Sequence, residues 1–338
     1  MRNIRRSQTE AATHFDGQRT AFTTPLGQAI IGDSRNVLKT LPDESVDLVV
    51  TSPPFALLRE KEYGNHDQLA YVEWLCSFGP ELRRVLKPTG SFVVDLGGAY
   101  QRGIPVRSIY NYRVLIKFVD EQQFHLAEEF FWHNPSKLPS PIEWVNKRKI
   151  CVKDSVDTVW WFSKTEWPQA DVSQVLTPYS DRMKALLKDP DGFFQAKERP
   201  SGHDIGRSFA KDNGGAIPPN LLQFANSESN GAYLRLCKEH DIVPHPARFP
   251  RALPEFFIRL LTKPGDLVVD IFGGSCTTGE AAERLGRRWI AIDLNIDYLK
   301  GGLFRFVGER ERAATGAILN RLTAGESVHV EPLQPLLL

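Results

Sequence analysis

Four consecutive residues, Ser52, Pro53, Pro54 and Phe55, carry groups that could do chemistry together. Two successive prolines fix φ and remove two backbone donors, so the carbonyls around them are free to accept hydrogen bonds from a ligand. Ser52 adds a hydroxyl acceptor, and Phe55 adds an aromatic face beside it. A planar group bearing an amine could stack on Phe55 and give its two N–H bonds to Ser52 and a proline carbonyl. That suits the exocyclic amine of a nucleobase. Taken alone, the same tetrapeptide also reads as a turn after a strand. A second stretch, residues 265–280, shifts that balance. There an apolar run ending in Asp270 is followed by Phe272, Gly273, Gly274, Ser275 and Cys276, and then by a helical segment. An acid about twenty residues beyond a glycine loop, at the end of the following strand, suits a ribose diol, and Asp293 is the candidate.

The elements that must position these groups follow from periodicity. Residues 46–50 are almost wholly apolar and rich in β-branched side chains, as expected of a strand covered on both faces. Residues 28–33 predict a strand ending in Gly32 and Asp33, with a helix over 36–41. Asp33 either accepts from the adenine amine of a nucleotide cofactor or caps that helix. Residues 71–86 have helical spacing up to a stop at Lys87, Pro88, Thr89 and Gly90, and residues 91–96 read as the next strand. Asp95 therefore lies at a strand's carboxyl end, the rim where such sheets bind ligands, and either hydrogen-bonds Ser52 or caps the next turn. A helix over 107–121 and a hairpin-like pair of strands over 125–132 and 157–162 complete the sheet. A proline-set approach, residues 245–250, enters a helix with Phe256, Phe257, Leu260 and Leu261 on its apolar face. The strand 267–271, the helix 278–285 and the strand 288–293 follow.

Two rival readings of the glycine loop fail. Residues 274–281 match P-loop spacing but put Glu280 where the phosphate-binding lysine must be, and an acid there repels a triphosphate. The dinucleotide pattern G-x-G-x-x-G fails because Cys276 stands two positions after Gly274. Together, the S-P-P-F loop and the near match to F-x-G-x-G resemble the amino-methylating DNA methyltransferases. The catalytic signature precedes the cofactor signature, which is similar to the circularly permuted β arrangement of that family, and serine as its first residue points to the N4-cytosine branch. The resemblance implies an α/β fold of the S-adenosylmethionine-dependent methyltransferase type: a mixed, mostly parallel, seven-stranded sheet, circularly permuted, with an irregular inserted target-recognition domain. It implies S-adenosylmethionine as cofactor, with Phe249 and Pro250 against its methionine part and Asp33 on its adenine. Cys276 keeps the turn tight but is expected to need φ below zero.

Duplex DNA is the implied partner, with CAGCTG as its target site and the inner cytosine's amine as methyl acceptor. A cognate restriction endonuclease in the same system, without direct contact, is implied too. No metal is implied. Lys137, Lys147, Arg148 and Lys149 lie in a proline-rich connection, read either as a solvated basic loop or as a phosphate grip. Residues 56–67 read as a lid or substrate clamp, with Arg59, Lys61 and Tyr63 as candidate backbone contacts. From about 166 to 244 periodicity fades. That segment is the expected recognition domain, offering Arg182, Lys184, Lys197, Arg199, His203, Arg207, Lys211 and Asn213 to base edges.

The chain of 338 residues, 41% hydrophobic, is long enough for one large α/β core or two smaller ones. The expected organisation is an N-terminal arm (1–24), a catalytic part (25–165), the recognition domain (166–244), a cofactor-binding part (245–315) and a C-terminal extension (316–338). A net charge of only +1 means that a nucleic-acid role rests on local patches. Four cysteines without C-x-x-C spacing speak against zinc and against a disulfide framework, so a reducing cytoplasm is the default. They also speak against a covalent carbon-5 mechanism, which usually needs a cysteine after proline; these follow Leu75, Ile150, Leu236 and Ser275. N6-adenine methylation on the same scaffold is the first alternative, disfavoured by Ser52. The second is a DNA-binding protein with a decayed methyltransferase core, which equilibrium binding of S-adenosylmethionine would separate.

Overall fold

The computed structural model describes residues 18–55, 68–190, 211–227, 229–308 and 312–331. The strands, in chain order, are β1 (Arg19–Thr23), β2 (Gly27–Ile31), β3 (Val46–Thr51), β4 (Leu86–Gly97), β5 (His125–His133), β6 (Val156–Ser163), β7 (Leu221–Gln223), β8 (Leu267–Asp270), β9 (Arg288–Asp293) and β10 (Val328–His329). The helices are α1 (Ser34–Thr40), α2 (Gln68–Cys76), α3 (Gly79–Val85), α4 (Tyr110–Asp120), α5 (Asp181–Lys188), α6 (Gly231–Glu239), α7 (Ala252–Leu261), α8 (Thr277–Arg284), α9 (Ile296–Leu303) and α10 (Arg312–Thr323).

All ten described strands join one sheet in the order β10-β1-β2-β9-β8-β3-β4-β6-β5-β7. Within it, β2-β9-β8-β3-β4-β6-β5 is the expected seven-stranded core, with β6 antiparallel to its neighbours and the rest parallel. The catalytic and cofactor strands β3 and β8, far apart in sequence, are adjacent and parallel: Leu48 pairs with Val268 and Val49 with Val269. Their carboxyl ends therefore open on the same rim. Every residue of β3 is buried, as its apolar run requires between two helical layers. Leu48 and Val50 face one core with Phe257, Ile258 and Val268. Val46 and Val49 face the other, with Phe92, Leu82 and Phe118. The break in alternation between Val46 and Leu48 coincides with a shift in register against β4.

Four sequence-based expectations are corrected. The sheet is wider than seven strands: β1 and β10 extend one edge and β7 the other. The N-terminal arm ends before residue 24, because Ala21 and Phe22 are fully buried in β1 and bring enough apolar surface to order an edge strand. The single helix over 71–86 is two helices, α2 and α3, because Pro80 lies in the first turn of α3, a place its missing N–H tolerates only at a helix start. The stop signal at residues 87–90 sits inside β4 as a bulge: Val46 pairs with Leu86 and Leu48 with Ser91.

In the 166–244 segment, α5 buries no residue. Leu222 of β7 and Tyr233, Leu236 and Cys237 of α6 belong to the larger core. No helix among the described residues is long and apolar enough to cross a membrane.

Candidate active site

The register of β3 and β4 builds the centre of the site. Thr51 pairs with Val94, so the next residue of each strand reaches the rim together and the Ser52 hydroxyl donates to Asp95 Oδ2 at 3.0 Å. Of the two readings of Asp95, the hydrogen bond to Ser52 is the one observed. Asp95 is 4% exposed and its Oδ1 has no hydrogen-bond partner among the described residues. Burial, with the nearby Asp157 carboxylate second, pushes its pKa well above the carboxylate range, while the Ser52 hydrogen bond and Lys137 oppose that rise. Because Ser52 spends its proton on Asp95, its lone pairs remain for a ligand's donors.

Phe55 lies across Gly97 at the end of β4, where a Cβ would collide with its ring and would lie 2.8 Å from Asp157 Oδ1. Glycine is required there by close approach. Asp157, in register with Gly97 on β6, is 5% exposed and accepts from Lys137 Nζ at 3.0 Å. Burial raises its pKa and the Lys137 charge opposes the rise. Lys137 is therefore tied to a buried carboxylate beside the aromatic ring. Its surroundings are those of the site rather than of a solvated loop.

The cofactor loop is drawn tight by a different set of bonds. Asp270 is fully buried. Its Oδ1 accepts from Thr51 Oγ1 at 2.7 Å and from the Phe272 N–H at 3.1 Å, and its Oδ2 accepts from Thr278 Oγ1 at 2.6 Å. Asp270 thus locks β3 to the glycine turn. Gly274 has φ +47 and its N–H donates to Asp293 Oδ2 at 2.8 Å, while Asp293 Oδ1 accepts from the Asn295 N–H at 2.8 Å. Desolvation, set against these backbone donors, raises the Asp293 pKa to about 6. Gly273 packs so closely that a Cβ would stand 3.0 Å from Ala291 Cβ. Cys276 adopts φ +56, against the expectation of a negative value. The buried N-cap position of α8 holds it there, its N–H donates to the Gly273 carbonyl at 2.7 Å, and its sulfur fits against Gly302. Such a non-glycine residue costs about 1–2 kcal/mol of backbone strain. Burial pushes its thiol far above the usual range.

Ser275 faces inward. Arg305 donates to its carbonyl at 2.6 Å and to its hydroxyl at 3.2 Å, and pairs with buried Glu280 at 2.9 Å. Phe272 packs on Trp74 and Phe78. Phe249 shares a small cavity with Thr51, Asp95, Leu253 and Phe257. The Pro250 carbonyl accepts from Leu253 N–H and starts α7. Asp33 caps α1 through the Arg35 N–H at 2.9 Å and pairs with the Arg35 guanidinium at 2.6 Å, so of its two readings the cap is the one on view.

At the periphery, Lys147 and Arg148 both pair with Glu143 at 3.1 Å, Arg148 lies 5.1 Å over Trp144, and Lys149 has φ +55. Arg182 and Lys211 are exposed. Arg199, His203 and Arg207, with Lys197 and residues 56–67, lie outside the described residues. Sequence reasoning missed His245, whose ring would stand 3.2 Å from a Cβ on Gly274. It also missed Asp157, Thr278 and Arg305. Asp157 could have been suspected as a charged residue opening an apolar strand, whereas nothing local marks Arg305.

A sheet rim that joins the Ser-Pro-Pro-Phe segment to a glycine turn agrees with comparison to known families. A model described as DNA methylase matches residues 46–303, and the chain belongs to that family. It is similar to the type II methyltransferase M.PvuII of Proteus hauseri, 61% identical over 94% of this chain and 95% of the relative. It is also similar to the DNA adenine methyltransferase YhdJ of Escherichia coli, 26% identical over 85% of this chain and 84% of that one. Among solved structures it resembles the PvuII DNA methyltransferase (cytosine-N4-specific), with a TM-score of 0.76 and 52% identity over 93% of this chain and 98% of that one.

Proposed function

We propose that this protein methylates the exocyclic N4 of cytosine in duplex DNA, using S-adenosylmethionine as methyl donor. The observation that carries the reading is the Ser52–Asp95 hydrogen bond beside Phe55, on the rim that also holds the cofactor turn. The fit of that turn rests on the left-handed Gly274, the close-packed Gly273 and Asp293 beneath them. Phe249, Phe272, Gly274 and Asp293 would hold the cofactor. When bound, it supplies an electrophilic methyl group on a sulfonium.

A cytosine inside a duplex cannot reach this rim, so it is flipped out at a cost of a few kcal/mol and stacked on Phe55. Its amine is a poor nucleophile because the lone pair is conjugated with the ring. Ser52 Oγ and the Pro53 carbonyl accept its two protons and draw the nitrogen toward a tetrahedral shape, which frees the lone pair for attack. As the new N–C bond forms, the surplus amine proton passes to Ser52 Oγ and the Ser52 proton to Asp95 Oδ2. Asp95 Oδ2, already hydrogen-bonded to Ser52, is placed to receive that proton. Positioning and local polarity are the main sources of rate.

The finer reading is the inner cytosine of CAGCTG as target, in a restriction and modification pair. Its support is 61% identity to a type II methyltransferase over 94% of this chain. Phosphate contacts are assigned to Lys147, Arg148 and Lys149, and base contacts to the 166–244 segment, including Arg182, Arg199, His203, Arg207 and Lys211. The test is to incubate the protein with labelled S-adenosylmethionine and duplexes with and without CAGCTG, then to analyse the nucleosides by mass spectrometry. N4-methylcytosine confined to CAGCTG duplexes is expected; N6-methyladenine, or no methylated base, would overturn the reading.

A further inference from the structure

The Lys137–Asp157 pair has no part in the chemistry above, yet it borders the ring on which the base is stacked. Asp157 Oδ1 and the Phe55 ring share the space over Gly97, and Lys137 Nζ bonds that same oxygen at 3.0 Å. The lysine is therefore one carboxylate away from the ring. Its other side is open, because Lys137 also lines a cavity of about 520 Å³ with Asn134, Ser136, Asn226 and Ser227. An ammonium has three donors and no acceptor. One is spent on Asp157, and the fixed carboxylate restricts where the other two can point.

A cytosine whose N4 protons are taken by Ser52 and Pro53 still presents N3 and O2, both acceptors, and no further donor on that edge. We infer that Lys137, oriented by Asp157, hydrogen-bonds the N3 and O2 edge of the flipped base and selects cytosine at the catalytic step. The inference deepens the N4-cytosine reading and rests on it. Phosphate gripping, the role implied for Lys137 by its basic neighbours, fits less well: Lys137 is tied to a buried carboxylate and is 28% exposed, against 68% for Lys147 and 62% for Arg148. Protonation is not the discriminator either, since two donors remain whichever way the Asp157 proton equilibrium lies.

The test is a cycle that pairs variants with base analogues. Single-turnover methyl transfer is measured on duplexes carrying cytosine, 3-deazacytosine or 2-thiocytosine at the target, with the parent, Lys137→Met and Lys137→Arg. Loss of a hydrogen bond from a charged donor should cost the parent about ten- to hundredfold on at least one analogue. Lys137→Met should lose a similar factor on cytosine and little more on that analogue, and Lys137→Arg should regain part of the sensitivity. Altered amine reactivity in the analogues cancels, because every variant meets the same substrates. The double variant Lys137→Met with Asp157→Asn removes the donor without leaving a bare buried carboxylate, and should match Lys137→Met. Calorimetry should show unchanged S-adenosylmethionine affinity for all variants. Equal analogue penalties in parent and Lys137→Met, or none in the parent, would overturn the inference while leaving N4 methylation intact. A parent that methylates no cytosine would sink the underlying reading as well.

Discussion

The rim at the carboxyl ends of β3 and β8 and the basic face around residues 143–149 both carry charged residues proposed to meet the substrate, and they are built in opposite ways. At the rim Asp270 is 2% exposed and spends both oxygens on Thr51, Thr278 and a backbone N–H. Two further bonds hold polar side chains there, Ser52 to Asp95 and Lys137 to Asp157. At the basic face Lys147 is 68% exposed and Arg148 62%, and their pairs with Glu143 form within one helical turn. Such pairs contribute little and exchange easily for phosphate. The difference teaches that the geometry proposed for the reaction is set within the fold, whereas the contacts proposed to hold DNA can rearrange as it docks.

If the rim is rigid, its most disruptive change is at the cofactor turn. Gly274→Asp puts a side chain at φ +47 toward His245 and a second carboxylate beside Asp293. Calorimetry should find S-adenosylmethionine binding abolished, with a stability loss of about 1–2 kcal/mol by thermal unfolding. Unchanged affinity would remove the glycine turn from the cofactor site.

Next in size is the catalytic loop. Ser52→Ala should lower single-turnover rate on the order of a hundredfold while both ligands still bind. Phe55→Ala should instead weaken base capture by about 1–3 kcal/mol. A mismatch at the target cytosine makes flipping easier, so it should partly rescue Phe55→Ala and leave Ser52→Ala slow. Equal rescue would mean that the two residues do not divide chemistry from capture.

Acidity gives a gentler probe of the rim. The Asp293 pKa is raised from 3.8 to about 6, so between these values the folded state binds more protons than the unfolded one. Its contribution to stability therefore falls as pH rises through that window and stays low above it. Cofactor affinity runs the other way, because only the carboxylate accepts from both hydroxyls of a ribose diol. Affinity should fall by at most about tenfold per pH unit below about pH 6, and Asp293→Asn should flatten the profile. A parent profile already flat across that range would separate Asp293 from the ribose.

The smallest effect belongs to the adaptable face. Neutralising Lys147, Arg148 and Lys149 together should weaken binding to every duplex severalfold and reduce the salt dependence, by a slope of about one to three, without changing sequence preference. Identical salt slopes for variant and parent would return these residues to being a solvated turn.

By itself the sequence determined the elements whose signals are local. The buried run of β3, the two prolines, the glycine turn and the terminal acid of β9 are each readable within a dozen residues. Stacking, acceptor geometry and tight backbone turns are properties of neighbours in the chain, which is why Ser52, Phe55, Gly274 and Asp293 were legible there. Tertiary structure decided what depends on strands meeting. The register that brings Ser52 to Asp95, the 219-residue span from Thr51 to Asp270, the grip of Arg305 on Ser275 and the seat of Lys137 on Asp157 have no local signature. A hydrogen bond across a sheet is fixed by register and burial, and a one-residue shift in register would turn these side chains to the opposite face.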